Sequence, residues 1–170
     1  LLVQACQRIK KELRKIKFEV SCYGPQGENA DKFKALIEEY EIGDIIKLGG
    51  EIGGKEKENV ILDADVFVMT SRFEGHPMGL IEALSYGLPV LVSRGTNMMD
   101  EVQEADAGWI CENNVDDIVK CLSRLIKEKN FFAKKSQNAR FLAAKYNWNL
   151  LAKDFHQKIS NIIQASKLSV

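Results

Sequence analysis

Two glutamates, Glu74 and Glu82, are separated by seven residues in the stretch Ser71-Arg72-Phe73-Glu74-Gly75-His76-Pro77-Met78-Gly79-Leu80-Ile81-Glu82. An ionised carboxylate only accepts hydrogen bonds. Such a pair therefore suits the neutral hydroxyls of a sugar or ribose rather than a phosphate. The backbone between them offers the opposite chemistry. If a helix starts near Pro77, the amides of Met78, Gly79 and Leu80 lie in its first turn, where N–H groups lack intrahelical partners and favour anions. His76 can touch a sugar or phosphate, or simply pack. Arg72 can serve a phosphate or form an ion pair. Taken alone, the two glutamates also fit an ordinary loop carboxylate and a solvated helix residue.

The surrounding residues predict how this stretch is held. Asp65 leads into Val66-Phe67-Val68-Met69, four apolar residues that suit a strand buried on both faces of a parallel sheet. Pro77 fits the first turn of a helix, and Gly87 fits its end. Leu80, Ile81 and Leu84 share one side of that helix, with Glu82 roughly opposite. The helix would begin at the carboxyl end of a strand, which is where open parallel sheets bind ligands.

Along the rest of the chain, apolar spacing predicts a helix over Leu1 to Lys17, with a basic polar face carrying Arg8, Lys10, Lys11, Arg14, Lys15 and Lys17. That face suits solvent, with a membrane surface or polyphosphate as the functional reading. A strand follows over Phe18 to Tyr23, then turn residues Gly24-Pro25-Gln26-Gly27 without a dinucleotide-binding glycine fingerprint. Asn29 or Asp31 is expected to cap a helix from Ala30 to Glu41. Ile45 to Leu48 reads as a strand, Gly49 to Gly54 as a flexible loop, and Lys55 to Leu62 as a short helix. Pro89 to Val92 and Ala107 to Cys111 are the last two strands, and Asp100 and Glu101 lie on a short helix between them. Asn113 or Asn114 should cap the helix that carries Ile118, Leu122 and Leu125. Helices over Phe131 to Lys145 and over 147–166 close the chain, with fraying from Ala165. In the last helix Trp148, Leu151, Phe155, Ile159 and Ile162 form a stripe, and His156 reads as a surface or packing residue. This alternation predicts an α/β fold: a Rossmann-like, doubly wound parallel sheet of five strands with helices on both faces.

The 170 residues suit one domain (1–170), and the 45% hydrophobic and 28% charged fractions suit a globular protein. A net charge of zero gives no global attraction for nucleic acid. Cys6, Cys22, Cys111 and Cys121 form no C-x-x-C pair, as expected of buried thiols in a reducing cytoplasm. No apolar run is long enough to span a bilayer. Because the sequence opens at Leu1 within a helical pattern, we expect truncation on the N-terminal side and a sixth strand upstream.

The segment Ser71 to Val90, with Glu74 and Glu82 as its E-x7-E pair, resembles that of the family 4 (group 1) retaining glycosyltransferases. Ala64 to Val68 resembles the strand before that motif, and Gly87-Leu88-Pro89-Val90 the turn and strand after it. More weakly, the likeness extends from about Phe18 to Trp148. It implies the C-terminal, donor-binding half of a GT-B enzyme that moves a sugar from a UDP- or GDP-type donor to an acceptor hydroxyl, with retention and without a metal. By this resemblance Glu74 is the catalytic-site glutamate at the donor-sugar hydroxyls and Glu82 binds ribose. Gly75, His76, Met78, Gly79 and Leu80 belong to the same donor site, while Gly50, Glu51 and Ile52 pack against the base. Glu101 matches the family's acid after the loop that follows Pro89 to Val92; Thr96-Asn97-Met98-Met99 departs from the glycine pair common there, which bears on the donor sugar. The family's phosphate-binding Arg and Lys would precede Leu1. The implied partners are a nucleotide-sugar donor and a saccharide or lipid-linked acceptor, the latter bound by a missing N-terminal domain. The implied place is the cytoplasm, at or near the inner face of the membrane, with peripheral membrane association as a further expectation. The isolated chain is expected to be inactive. Competing readings are a nucleotide-binding Rossmann-like module without transferase activity, a GT-B-fold nucleotide-sugar epimerase, and an oxidoreductase, which the absent glycine fingerprint disfavours.

Overall fold

The computed structural model describes residues 1–167. In chain order the elements are α1 (Leu2–Arg8), α2 (Lys10–Lys15), β1 (Val20–Tyr23), α3 (Glu28–Glu39), β2 (Ile46–Gly50), α4 (Gly54–Asp63), β3 (Phe67–Met69), α5 (Met78–Tyr86), β4 (Val90–Ser93), α6 (Met99–Glu104), β5 (Gly108–Cys111), α7 (Val115–Lys127), α8 (Phe132–Ala144) and α9 (Trp148–Lys167). The five strands match those read from the sequence, and every pairing is parallel.

Alternation along the strands builds two cores, because successive side chains leave opposite faces. Leu91, Trp109 and Cys111 join Val20 and Ile46 in a cluster covered by α1, α2, α3 and α7. Val90 and Val92 point the other way, into a cluster with Leu80 and Leu84 of α5, Val102 of α6, and Ala139 and Leu142 of α8. Helices therefore cover both faces, as expected for a doubly wound fold. β4 is its spine: Val90, Leu91 and Val92 are all fully buried.

The sheet itself departs from expectation. β1 pairs with β2, and β3, β4 and β5 form a separate ladder. Among the described residues no ladder joins β1 to β3. That leaves β3 with a single neighbour, and its three residues are only half-buried rather than enclosed on both faces.

Several boundaries also move. The first helix breaks at Ile9, which has φ −112° and ψ 24°; no residue type there announces it. Its basic face is mostly exposed, as expected of a solvated face, and three of its cations also make contacts within the chain. Arg8 pairs with Asp116, Arg14 holds Asp44 through Nε at 2.7 Å and Nη2 at 2.9 Å, and Lys10 donates to the Tyr40 carbonyl at 3.2 Å. Asn29 and Asp31 lie inside α3, which Gly27 precedes, so neither caps it. Gly87 ends α5 with φ 83°, the left-handed geometry that glycine adopts without a Cβ clash. The apolar stripe of α9 is exposed, with Trp148, Leu151, Phe155, Ile159 and Ile162 all facing solvent. That helix continues to Lys167, and the rest of the expected frayed end lies outside the described residues. All four cysteines are free, and burial pushes the Cys6 thiol up to about 12.

One buried cation ties α8 to β5. Lys135 is 6% exposed; its Nζ reaches Asp106 Oδ1 at 2.5 Å and the Gly108 carbonyl at 3.1 Å, and stands 5.1 Å from the Trp109 ring centre. The hydrogen bond from Lys135, then that from Lys134, holds the Asp106 carboxyl below its ordinary pKa. Because the folded pKa is depressed, this contribution is complete above the unfolded carboxylate pKa of about 3.9 and is lost as pH falls through the folded value. We expect Lys135→Met to cost about 1–3 kcal/mol at neutral pH. In urea unfolding followed against pH, the gap between wild type and variant should narrow below about pH 4.

Candidate active site

The loop after β3 is held by polar contacts from the end of β4 and from the loops that follow β4 and β5. Ser71 Oγ donates to Glu74 Oε1 at 2.7 Å, which fixes one oxygen of that half-buried carboxylate. The Ser71 carbonyl in turn accepts Asn113 Nδ2 at 2.7 Å and Ser93 Oγ at 2.8 Å. Asn113 Nδ2 also lies 3.1 Å from Ser93 Oγ, and its Oδ1 accepts the Gly95 N–H at 2.8 Å. One carboxamide after β5 thus links the ends of β3 and β4. The far side of the loop is held by Asn97, whose Nδ2 donates to the Gly75 carbonyl at 3.2 Å. Asn97 has φ 57°, a left-handed conformation that asparagine tolerates. Gly95 permits the close approach, since a Cβ there would run into the carbonyl oxygens of Ser71 and Arg72.

Asn113 has a role that residue-level reasoning missed. Of the two candidate caps, Asn114 caps α7, accepting the Asp117 N–H at 2.8 Å. The doublet was the available signal: only one of two adjacent asparagines can be the cap, which leaves the other for tertiary contacts.

At the start of α5, the buried Pro77 stands in the N-cap position. Its carbonyl accepts the N–H groups of Leu80 at 3.0 Å and Ile81 at 3.1 Å, while the Met78 N–H donates to His76 at 2.9 Å. Two of the three amides expected to face an anion are therefore engaged locally. Among the described residues no hydrogen bond engages the Gly79 N–H. The His76 ring lies 6.0 Å from that of Tyr146, tilted by 53°, in a packing contact. The Tyr146 phenol is raised by burial and then by the nearby Glu101 carboxylate, which places Glu101 beside the same edge. An open hollow of about 510 Å³ adjoins the loop, lined by Arg94, Asn97, Met99, Asp100, Glu101 and Glu104. Arg72 is exposed and, among the described residues, forms no ion pair.

Glu82, half-buried, is paired elsewhere. Lys57 Nζ of α4 contacts its Oε1 at 2.7 Å and its Oε2 at 2.9 Å. The loop after β2 is shorter than expected, because Gly50 pairs with Tyr23 in the ladder and its carbonyl accepts the Gly24 N–H at 2.8 Å. Beyond it Glu51 is exposed and Ile52 half-buried. Ser71, Glu74, Ser93, Gly95 and Asn113 therefore form one hydrogen-bonded network, and the Asn97–Gly75 bond holds the same loop beside it. Among the described residues no hydrogen bond or ion pair joins Glu74 to Glu82, or either of them to Gly50, Glu51 or Ile52.

In a parallel α/β fold, a held carboxylate and a helix start at the carboxyl ends of the strands lie at the edge where open sheets bind ligands. The chain belongs to the family described as glycosyl transferases group 1, whose model matches residues 1–163. It is 35% identical to the UDP-Gal:alpha-D-GlcNAc-diphosphoundecaprenol alpha-1,3-galactosyltransferase of Escherichia coli over 47% of this chain and 21% of that one. It is 25% identical to the amylovoran biosynthesis glycosyltransferase AmsK of Erwinia amylovora over 72% of this chain and 31% of that one. Among solved structures, Anabaena Alr3699/HepE in complex with UDP superimposes with a TM-score of 0.75 at 15% identity, covering 96% of this chain and 44% of that one. The fold is thus shared with GT-B glycosyltransferases. The chain spans between a fifth and a third of the length of the two curated relatives.

The clamp gives two expectations. Gly95→Ala should destabilise the domain by about 1–3 kcal/mol through overpacking. Asn113→Ala, which strands the Gly95 amide and removes a donor from the Ser71 carbonyl, should cost about 1–3 kcal/mol. Urea unfolding measures both, and for each variant the NMR amide shifts should change most over residues 71–75.

Proposed function

We propose that this chain is the donor-binding half of a retaining glycosyltransferase that moves a sugar from a nucleoside diphosphate to an acceptor hydroxyl. The observation that carries this reading is the Glu74 carboxylate, fixed by Ser71 at the carboxyl ends of parallel strands, just ahead of the α5 N-terminus. In this reading Glu74 receives the donor-sugar hydroxyls and Glu82, a turn into α5, receives the ribose diol. The Gly79 amide, helped by the positive end of α5, faces the diphosphate as its negative charge grows on bond cleavage. Glu51 and Ile52 flank the base. UDP is the favoured nucleotide, since one relative is named for UDP-Gal and a structural neighbour holds UDP.

The rest of the enzyme supplies the acceptor site. One more parallel strand set between β1 and β3 would join the two ladders and bring the Ile52 loop into register with the Glu74 loop. Its following turn would carry the cationic side chains for the diphosphate. Without those parts the chain does not catalyse transfer. Among the described residues no helix is long and apolar enough to cross a membrane. The names of two relatives, one for a diphosphoundecaprenol-linked sugar and one for amylovoran biosynthesis, support an acceptor at the cytoplasmic membrane surface, reached by peripheral association.

Calorimetric titration of the complete polypeptide with UDP, GDP and UDP-sugars tests this. Glu82→Ala should weaken nucleotide binding about tenfold, the loss expected for hydrogen bonds to a charged group. Glu74→Gln should leave nucleotide affinity within about twofold yet lower transfer by about 100-fold or more, as for removal of a group aimed at the reacting centre. Equal loss of nucleotide affinity in both variants would sink the division of roles.

A further inference from the structure

Lys57 has no place in the motif and no assigned role, yet its ammonium straddles both oxygens of Glu82, at 2.7 and 2.9 Å. Both partners stand on a firm base. Ile61 of α4 packs with Ala83 and Leu88, and with Phe67 and Tyr86 at the margin, so α4 is locked against α5. Lys57 lies in the first turn of α4, where its own N–H donates to the Gly53 carbonyl at 3.4 Å. Glu82 projects from a helix whose neighbouring side chains, Leu80, Ala83 and Leu84, are fully buried. The charged ends remain partly exposed, 42% for Lys57 and 35% for Glu82. A pair this accessible adds little to folding stability, but it removes the rotamer freedom a lone glutamate would keep.

The geometry leaves useful capacity. Each carboxylate oxygen has two lone pairs. Lys57 occupies one direction on each oxygen and leaves one on each. A cation shared by both oxygens takes their converging lone pairs, and the outward lone pair left on each can still accept a single ribose hydroxyl.

Resting on the donor-site reading above, we propose that Lys57 is a positioning residue, holding the Glu82 carboxylate in the orientation in which an outward lone pair receives the ribose 2′-hydroxyl, and so setting discrimination between ribose and deoxyribose nucleotides. Lys57 itself touches neither base nor phosphate. It acts through Glu82, and the cost of ordering that side chain is met before the nucleotide arrives.

The test is calorimetric titration of the complete polypeptide with UDP and 2′-deoxy-UDP, repeated with GDP and 2′-deoxy-GDP, for wild type, Lys57→Met, Lys57→Arg and Glu82→Ala. Wild type should bind the ribonucleotide about tenfold more tightly than the deoxynucleotide, the worth of a hydrogen bond to a charged acceptor. In Lys57→Met that ratio should fall to about twofold or less, with deoxynucleotide affinity unchanged; a role confined to folding would lower both affinities together. Lys57→Arg, which also presents paired donors to a carboxylate, should restore most of the ratio. An undiminished ratio in Lys57→Met overturns the proposal. So does an equal loss for both nucleotides that shrinks with added salt, because that pattern marks direct contact with phosphate. Glu82→Ala judges the donor-site reading separately: if it leaves the ribose preference intact, Glu82 is not the ribose ligand, whatever Lys57 does.

Discussion

The Asn113 carboxamide is the contact on which the candidate site depends. It gives a hydrogen bond to Ser71 and accepts one from Gly95, across 42 and 18 residues of sequence. Those bonds hold the exits of β3 and β4 at one point beyond β5. With its carbonyl satisfied by Asn113 and Ser93, Ser71 can turn its hydroxyl to Glu74. The fully buried Ser93 hydroxyl has no water to fall back on, so its bond to Ser71 is costly to lose. The absence of a Cβ at Gly95 is the steric half of the same arrangement, since it sets how closely the two loops approach.

The clamp works because the strands beneath it cannot shift. β4 is buried on both faces, with Leu91 in one core and Val90 and Val92 in the other. A displacement of one residue along this strand would exchange the two sets of side chains, so register is strongly specified. Leu80 and Leu84 enter the second core, which fixes α5 and with it the Gly79 amide at the sheet edge. Lys135 reinforces β5 from behind, exchanging water for Asp106, the Gly108 carbonyl and the Trp109 face.

Charge is used locally in this electrically neutral chain. Arg94 grips Glu112 through Nε and Nη2, Arg14 grips Asp44, and Arg8 grips Asp116, each pair joining separate segments. Lys57 and Glu82 follow the same pattern, joining α4 to α5. On the basic face of the first helix, which invites a membrane or polyphosphate reading, Arg8 and Arg14 join this pairing, while Lys11, Lys15 and Lys17 stay exposed.

The sequence by itself determined the strands, most helices and the place of the two glutamates. Val66 to Met69, Pro77 and Gly87 are local signals, because burial pattern, a missing N–H and a tolerated positive φ act within a few residues of where they are read. Tertiary structure alone decided that Asn114 caps α7 while Asn113 clamps the loops. It decided that the Met78 and Leu80 amides are engaged, that Lys57 holds Glu82, that the strands divide into two ladders, and that the first helix breaks at Ile9. Most of these depend on atoms that meet across long stretches of chain, and the amide pairing depends on the exact path of one turn. Periodicity and propensity reach along a few residues of backbone; hydrogen bonds between distant loops are chosen by how the packed elements bring them together.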